Sequence, residues 1–486
     1  MTRPLLRTLS HASVIGMAFA LASCANVDPN ALKERPIEAG TLGAKTANVD
    51  WPRDDWWKRY NDPQLDALIA DGLAASPTLA AARARIARAD AAAGVAKSAL
   101  LPSVNGNATS TYQRFSENYI FPPPFAGSWK TDNRLTLDFN YEFDFWNKNG
   151  AALDAALSTV QATEADAQAA RVTLATQIAG AYFDLQRLFA QRQVSLAAIE
   201  QRQRVVQLTT DRFNAGLDTR VEVKQAEAAL GTVRTELAQY NEGINVARIR
   251  IAALIGAGPE RGSVLVARIA ERAPGTTLPP AVPLDLVGRR PEIVASKWRI
   301  EAARHDVEVA QALFYPNINL VAFLGLSSLG FSNLIAAGST IVGVGPAIHL
   351  PIFEGGRLNA NLRGKNADED LAITVYNEAV IDAVRDVADA LASIDGLSHV
   401  SVEQAQAKAA TTDAYNLAIL RYEAGLGNYL TVLTAQVQQL VQDRLDADLK
   451  ARAFELDVNL VRALGGGYVD ASPINLSAAP AHAPAP

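Results

Sequence analysis

Side chains capable of covalent or metal chemistry are few in this 486-residue chain. It has five His and one Cys, which excludes a disulfide framework within the chain and a metal site built from several cysteines. It contains no His-Glu-x-x-His, no Gly-x-Ser-x-Gly and no Gly-x-x-x-x-Gly-Lys motif, so the common metal, nucleophile and phosphate sites are missing. We therefore predict that the chain is not an enzyme and carries no cofactor or metal.

The one cysteine lies where a secretory signal would be processed. An apolar run at 14–22 follows two arginines and is too short to cross a bilayer as a helix. The residues Leu-Ala-Ser before Cys24 resemble a bacterial lipobox, in which the cysteine is acylated and becomes the new N-terminus. We predict that 1–23 is a lipoprotein signal peptide and that Cys24 is the lipidation site. The alternative is an ordinary signal peptide with an incidental cysteine. In bacterial lipoproteins of this kind, an Asp directly after the acylated cysteine favours retention in the inner membrane. Here Ala25 follows Cys24, so the resemblance implies delivery to the outer membrane.

The rest of the chain is a tandem duplication. Proline pairs twenty-five residues apart recur at an offset of 214 residues, and the motif Arg-aromatic-x-Ala-Gly-Leu recurs at an offset of 209, beginning at Arg212 and Arg421. Each copy predicts a helix of about twenty-five residues, a short non-helical region and a very long helical stretch interrupted only by Ala-Gly-Leu. The formal charge of -6 offers no electrostatic footprint for nucleic acid.

A strand signal separates these helices. Residues 134–145 alternate strictly between apolar and polar side chains, a pattern typical of a transmembrane barrel strand with lipid on one face and water on the other. We predict that Asp138, Glu142 and Asp144 face the lumen. Together with three weaker strand signals elsewhere, this stretch predicts four strands per chain. Four strands cannot close into a barrel by themselves in lipid. Three chains would supply twelve strands, whereas an eight-stranded barrel would be largely filled by side chains.

Several short motifs resemble those of the outer-membrane factor family of tripartite RND-type efflux pumps, the TolC-like and OprM-like lipoproteins. They are the lipobox, the run Asn61-Asp62-Pro63-Gln64-Leu65-Asp66, the two Ala-Gly-Leu turns, Asn428-Tyr429-Leu430-Thr431 and Ala463-Leu464-Gly465. The resemblance implies a mainly α fold with a transmembrane β-barrel, formed by a homotrimer and continued by a periplasmic barrel of helices. It also implies two partners, a periplasmic adaptor and an inner-membrane RND-type transporter, with the chain acting as a passive exit duct.

In that family the helical tips dock the adaptor. The resemblance therefore assigns docking to the two Ala-Gly-Leu turns and their flanks, namely Arg212, Ala215, Gly216, Leu217, Arg421, Tyr422, Ala424, Gly425 and Leu426. The alternative is that these residues only cap helices, because a sharp reversal needs a residue that tolerates positive φ. Related channels narrow their periplasmic end with acidic residues and ion pairs, so the resemblance also suggests an aperture formed by Asp211, Asp218, Arg220 and Asp413.

The predicted organisation follows the duplication. After the signal peptide, 24–60 is an acylated N-terminus and linker, 61–280 is the first repeat, 281–470 is the second repeat and 471–486 is a disordered tail. The first repeat contains strands at about 103–113 and 133–145 and a tip turn at 215–218. The second repeat contains strands at about 317–327 and 340–350 and a tip turn at 424–427. Two other functions stay open: the outer-membrane duct of a type I protein secretion system, and a non-channel coiled-coil structural lipoprotein.

Overall fold

The computed structural model describes residues 34–43, 51–118, 120, 122–268 and 285–470. The predicted signal peptide, Cys24 and the tail at 471–486 lie outside the described residues. For these segments the sequence predictions stand as predictions.

The described chain is mainly helical, with one four-stranded antiparallel sheet. The elements of the first repeat are α1 (Pro63–Ala75), α2 (Pro77–Ser98), β1 (Ser103–Arg114), β2 (Trp129–Phe143), α3 (Lys148–Asn214), α4 (Arg220–Leu254) and α5 (Pro259–Ser263). Those of the second repeat are α6 (Leu286–Arg289), α7 (Pro291–Ala312), β3 (Asn317–Leu329), β4 (Thr340–His349), α8 (Arg357–Glu423) and α9 (Tyr429–Ala463). Short 3-10 helices cover Ala39–Leu42, Trp56–Tyr60 and Ala337–Ser339.

The duplication is visible in the helix lengths. Helices α3 and α8 each have 67 residues, and α4 and α9 each have 35. The chain divides into two compact units, and each combines segments of both repeats. The first unit includes Ile86–Thr163 and Ser296–Tyr376, whereas the second includes Ile37–Arg85, Glu164–Ala295 and the chain from Asn377 onward. Neither repeat is therefore a compact unit by itself.

The first unit contains the sheet, with strand order β1-β2-β3-β4. Leu137 of β2 lies opposite Gly106 of β1 and Leu324 of β3, and Leu324 lies opposite Val342 of β4. Because side chains alternate along a strand, this register places one apolar stripe across all four strands. The exposed large side chains of this stripe are Val104, Tyr112, Trp129, Leu135, Leu137, Phe143, Leu324, Val342, Val344 and Ile348. The opposite face of β1 and β2 is polar.

The end of β2 differs from the prediction. The strand ends at Phe143, two residues before the predicted end, so Asp144 lies beyond the strand and its lumen-facing role stays a prediction. Asp144 Oδ2 accepts a hydrogen bond of 2.8 Å from the backbone N–H of Gly150. A carboxylate at a helix start satisfies an N–H that has no partner in the first turn.

The second unit has a core formed by α1, α3, α4 and α9. Leu65, Ile69, Ile178 and Ile251 are fully buried there, and a Cβ on Gly72 would lie 2.4 Å from Ile178 Cδ1. Residues 63–98 include an apolar window long enough to cross a membrane as a helix. Leu65, Leu68 and Ile69, at the start of this range, are buried in the core of the second unit.

The motif at the start of α1 also has a structural role. Asp62 Oδ1 accepts a hydrogen bond of 2.9 Å from Gln64 N, and the hydroxyl of Tyr182 in α3 donates to Asp62 Oδ2. Asp62 thus caps α1 and ties it to the long helix. Trp56 and Trp57, in the segment predicted to be a linker, are buried in the same core.

Candidate functional site

The candidate site consists of the two turns that join α3 to α4 and α8 to α9. Five residues form each connection, 215–219 and 424–428. Gly216 and Gly425 have the same positive φ of 73°, and a Cβ at either position would meet no atom within 4 Å. Backbone conformation, rather than close packing, therefore requires glycine at these two positions.

Both turns close with the same hydrogen bonds. Leu217 N donates to Arg212 O at 2.9 Å, and Leu426 N donates to Arg421 O at 2.8 Å. Each glycine N–H donates to the carbonyl three residues earlier, at 3.0 Å and 3.1 Å. This is the Schellman arrangement, which satisfies carbonyls at a helix C-terminus. The returning helices are capped by Thr219 and Asn428, so each reversal is fixed on both sides.

Three side chains join the two turns, and we call Arg212, Asp218 and Tyr422 the tip cluster. Arg212 Nε lies 2.9 Å from Asp218 Oδ2, and the Tyr422 hydroxyl donates to the same carboxylate. Arg212 Nη1 donates to Tyr422 O at 3.0 Å, and the guanidinium carbon lies 4.5 Å from the centre of the tyrosine ring. The Arg212 and Asp218 side chains are 13% and 12% exposed, and Tyr422 is fully buried. The tip cluster therefore connects the first repeat to the second.

Electrostatics keep Asp218 charged. Burial raises the pKa of Asp218, but hydrogen bonds from Arg212 and Tyr422 and the charge of Arg212 outweigh it, so the net pKa lies below the usual value. The pKa of Tyr422 is raised, by burial first and then by the hydrogen bond to Asp218. At neutral pH the tip cluster therefore contains an ionised carboxylate, a guanidinium and a neutral phenol.

The structure separates the predicted docking residues into two groups. Ala215, Gly216, Leu217, Arg421, Ala424, Gly425 and Leu426 are exposed. Tyr422 is buried and Arg212 is nearly so, because both belong to the tip cluster. Docking by these residues stays a prediction; the buried Tyr422 side chain supports the two turns from inside.

Two exposed apolar residues extend this surface beyond the predicted set. Val221 and Leu430 lie four residues after Leu217 and Leu426, at equivalent positions of the two repeats, and all four side chains are more than half exposed. We call these four residues the tip surface. The same 209-residue offset that identified the turns would have identified Val221 and Leu430.

The predicted aperture residues lie in different surroundings within the chain, and their role at an aperture stays a prediction. Asp218 is paired with Arg212, and Arg220 is exposed. Asp211 is exposed and accepts a hydrogen bond of 2.9 Å from Gln207, and Asp413 is exposed. The acidic residue that the structure places at the centre of the tips is therefore already paired within the chain.

Of the three predicted lumen-facing acids, two lie on β2. Asp138 accepts hydrogen bonds from Asn107 Nδ2 at 2.6 Å and Thr136 Oγ1 at 2.9 Å. Glu142 lies 2.5 Å from Lys148 Nζ at the start of α3. Both acids therefore lie on the polar face of the sheet, opposite the apolar stripe.

Similarity to known proteins covers nearly the whole chain. The family model described as outer membrane efflux protein matches residues 68–257 and 282–466. The multidrug resistance outer membrane protein MdtP of Escherichia coli (strain K12) is 30% identical over 483 residues, which cover 95% of this chain and 97% of MdtP. The fusaric acid resistance protein FusA of Burkholderia cepacia is 38% identical over 365 residues, covering 73% of this chain and 69% of FusA.

A solved structure leads to the same conclusion. The outer membrane protein VceC of Vibrio cholerae has a TM-score of 0.80 and 37% identity, covering 86% of this chain and 100% of VceC. This family consists of efflux channels and is not an enzyme family. The predictions of a channel fold, of efflux and of the outer membrane are confirmed. The chain belongs to the outer membrane efflux protein family.

Proposed function

We propose that three copies of this chain form a passive exit duct of a tripartite efflux pump. The observation that carries the proposal is the sheet, whose outer strands β1 and β4 have no further strand beside them among the described residues. In lipid, unpaired backbone groups at these edges would be costly, so β1 of one copy must pair with β4 of the next. Three sheets of four strands give twelve strands, a barrel wide enough to conduct.

The polarity of the sheet supports a water-filled lumen. The apolar stripe suits lipid, and the face that carries Asp138 and Glu142 suits water. Threefold repetition of these carboxylates would attract cations into the lumen. A coiled-coil structural lipoprotein would have no need for this exposed apolar stripe, and the sheet therefore favours a channel.

The tip surface is the proposed adaptor-docking site. It offers two equivalent apolar pairs per chain, Leu217 with Val221 and Leu426 with Leu430, and therefore six pairs in a trimer. A helical hairpin from a periplasmic adaptor could bury these side chains, each contributing about 1.5–3 kcal/mol when fully buried. The tip cluster would hold the two turns of each chain at a constant separation. An inner-membrane transporter would supply the energy for export, because the proposed duct is passive.

Small molecules are the proposed cargo. MdtP carries the name of a multidrug resistance protein and FusA that of a fusaric acid resistance protein. These names favour a pump for toxic compounds over a type I protein secretion duct. Anchoring through a lipid on Cys24 completes the proposal, and labelling with a palmitate analogue, lost in Cys24→Ser, would test it.

A gel and conductance experiment tests the duct. Purified protein should migrate as a trimer that dissociates on heating, and it should conduct with cation preference in planar bilayers. A monomer without conductance would overturn the proposal in favour of a tether. A conducting trimer with anion preference would show that the lumen-facing assignment of Asp138 and Glu142 is wrong.

A further inference from the structure

The strongest unexplained feature is a buried polar layer between α3, α4 and α9. Two apolar clusters lie along the seam of these helices, one containing Val205, Ala226 and Val432, the other containing Ala198, Val233 and Leu440. Arg202 and Gln436 lie between these clusters in sequence on their own helices. They are only 5% and 2% exposed, so a cation and an amide occupy the interior of a helical seam.

The helix register places Arg202 and Gln436 at the same level. Helices α3 and α9 run antiparallel, with Gln201 Nε2 donating to Gln439 Oε1 at 3.0 Å and Val205 in one cluster with Val432. Arg202 lies between Gln201 and Val205 on α3, and Gln436 lies between Val432 and Gln439 on α9. Arg202 Nη1 donates to Ala229 O in α4. The layer therefore includes residues from three helices.

Both side chains have a donor that no protein atom satisfies. Arg202 Nε and Gln436 Nε2 are buried and have no hydrogen-bond partner within the described chain. Buried polar groups in native proteins are almost always paired, and an unpaired donor is costly. Some acceptor is therefore missing from this layer.

The charge balance indicates the sign of the missing group. Glu236 is the carboxylate that acts on Arg202, but it is committed to Arg444, which binds both of its oxygens. Arg202 and the two charged groups that act on it, Glu236 and Arg444, together carry one surplus positive charge. Burial lowers the pKa of Arg202, and the charge of Arg444 adds to this effect against opposing contributions from Glu236 and Tyr429. An added negative charge would stabilise this environment.

A second polar layer nearby provides a contrast. Arg444 O accepts a hydrogen bond of 2.9 Å from Gln191 Nε2, and the unpaired buried atoms of these two residues are a donor, Arg444 Nε, and an acceptor, Gln191 Oε1. Water can serve donors and acceptors together. At Arg202 and Gln436 both unpaired atoms are donors, which suits an anion instead.

We propose that a small monovalent anion such as chloride binds between Arg202 Nε and Gln436 Nε2. The ion neutralises the surplus charge and satisfies both donors. It links α3 and α4 of the first repeat to α9 of the second, a few helical turns from the tip cluster. The bound ion therefore stabilises the register of these three helices.

Chloride-dependent stability tests this site. Thermal unfolding of the purified full-length protein is followed by circular dichroism while sodium gluconate is replaced by sodium chloride at constant ionic strength. A saturable rise of the midpoint is expected in the unmodified protein, and Arg202→Gln should abolish it. Arg204→Gln is the matched control, because Arg204 is two residues away and its side chain is 67% exposed. An equal rise in all three proteins would reveal a general salt effect and overturn the site.

Bromide in crystals provides a second measurement that does not depend on a variant folding. Crystals of the unmodified protein in sodium bromide should show an anomalous peak in contact with both Arg202 and Gln436. A map without this peak, in which the Gln436 amide oxygen accepts from Arg202 Nε, would overturn the proposal.

Discussion

Replacing Asp218 by Asn should loosen the two helical tips without unfolding the long helices. The carboxylate accepts from Arg212 Nε at 2.9 Å and from the Tyr422 hydroxyl, and Asn keeps the shape but not the charge. Hydrogen bonds to charged groups contribute about 1.5–3 kcal/mol each. Since Arg212 and Asp218 keep about one eighth of their surface exposed and the amide oxygen can still accept, we expect a local loss of about 2–3 kcal/mol.

Hydrogen exchange measured by mass spectrometry can detect this loss. Amides near residues 212–218 and 421–426 should exchange about 30- to 150-fold faster in Asp218→Asn, because each 1.4 kcal/mol corresponds to about a factor of ten. Asp211→Asn is the control, since Asp211 is exposed and bonds only within its own helix to Gln207. Equal exchange at the tips of both variants would refute the reasoning that the tip cluster holds the turns together.

The same carboxylate predicts a pH dependence. Because the pKa of Asp218 is lowered in the folded state, its stabilisation is fully present above its unfolded pKa of about 3.9 and is lost as the pH falls through the lower folded value. The difference in thermal midpoint between the unmodified protein and Asp218→Asn should therefore shrink below about pH 4. A difference that persists at lower pH would mean that the charge of Asp218 is not its source.

Three further sets of substitutions test other parts of the fold. Leu137→Arg on the apolar stripe should destabilise the barrel by about 2–4 kcal/mol per chain near mid-membrane and reduce the yield of trimer on gels. Asn107→Arg on the polar face is the control and should be tolerated. The reverse outcome would mean that the lipid-facing and lumen-facing sides are exchanged. Gly216→Ala or Gly425→Ala should lower the free energy of unfolding by about 1–2 kcal/mol because φ is positive at both positions. Gly231→Ala inside α4, where no atom lies near the added Cβ, should raise it by about 0.5–1 kcal/mol. Equal thermal midpoints in these variants would argue against conformational strain at the turns. Leu217→Asp with Leu426→Asp should weaken adaptor binding in calorimetry and leave the thermal midpoint unchanged, since both side chains are exposed; undiminished affinity would place docking elsewhere.

Features with a local cause were readable from the chain. The alternation at 134–145 predicted β2 because a strand with different solvents on its two faces needs a period of two. The repeated Ala-Gly-Leu predicted both turns because a sharp helix end needs positive φ, and Gly216 and Gly425 share that conformation. Three strands lie within two residues of their predicted bounds, and β2 begins four residues earlier than expected.

Features that join the two repeats were not readable. Arg212 and Tyr422 are 210 residues apart in sequence, and nothing local indicates that Asp218 would pair with Arg212 while Arg220 stays exposed. The layer of Arg202 and Gln436 likewise depends on the register between α3 and α9. An arginine in a helix looks the same in sequence whether it faces water or a neighbouring helix.

The sequence by itself determined the duplication, the long helices, the membrane-facing strand and the family, because each depends on short-range periodicity or on motifs. Only the tertiary structure decided which polar residues are buried and which partners they have. The structure shows that Tyr422 supports the turns from inside, that Asp144 binds the start of α3, and that Arg202 is a buried cation. Burial and pairing depend on how distant segments pack, and packing is settled by the whole chain.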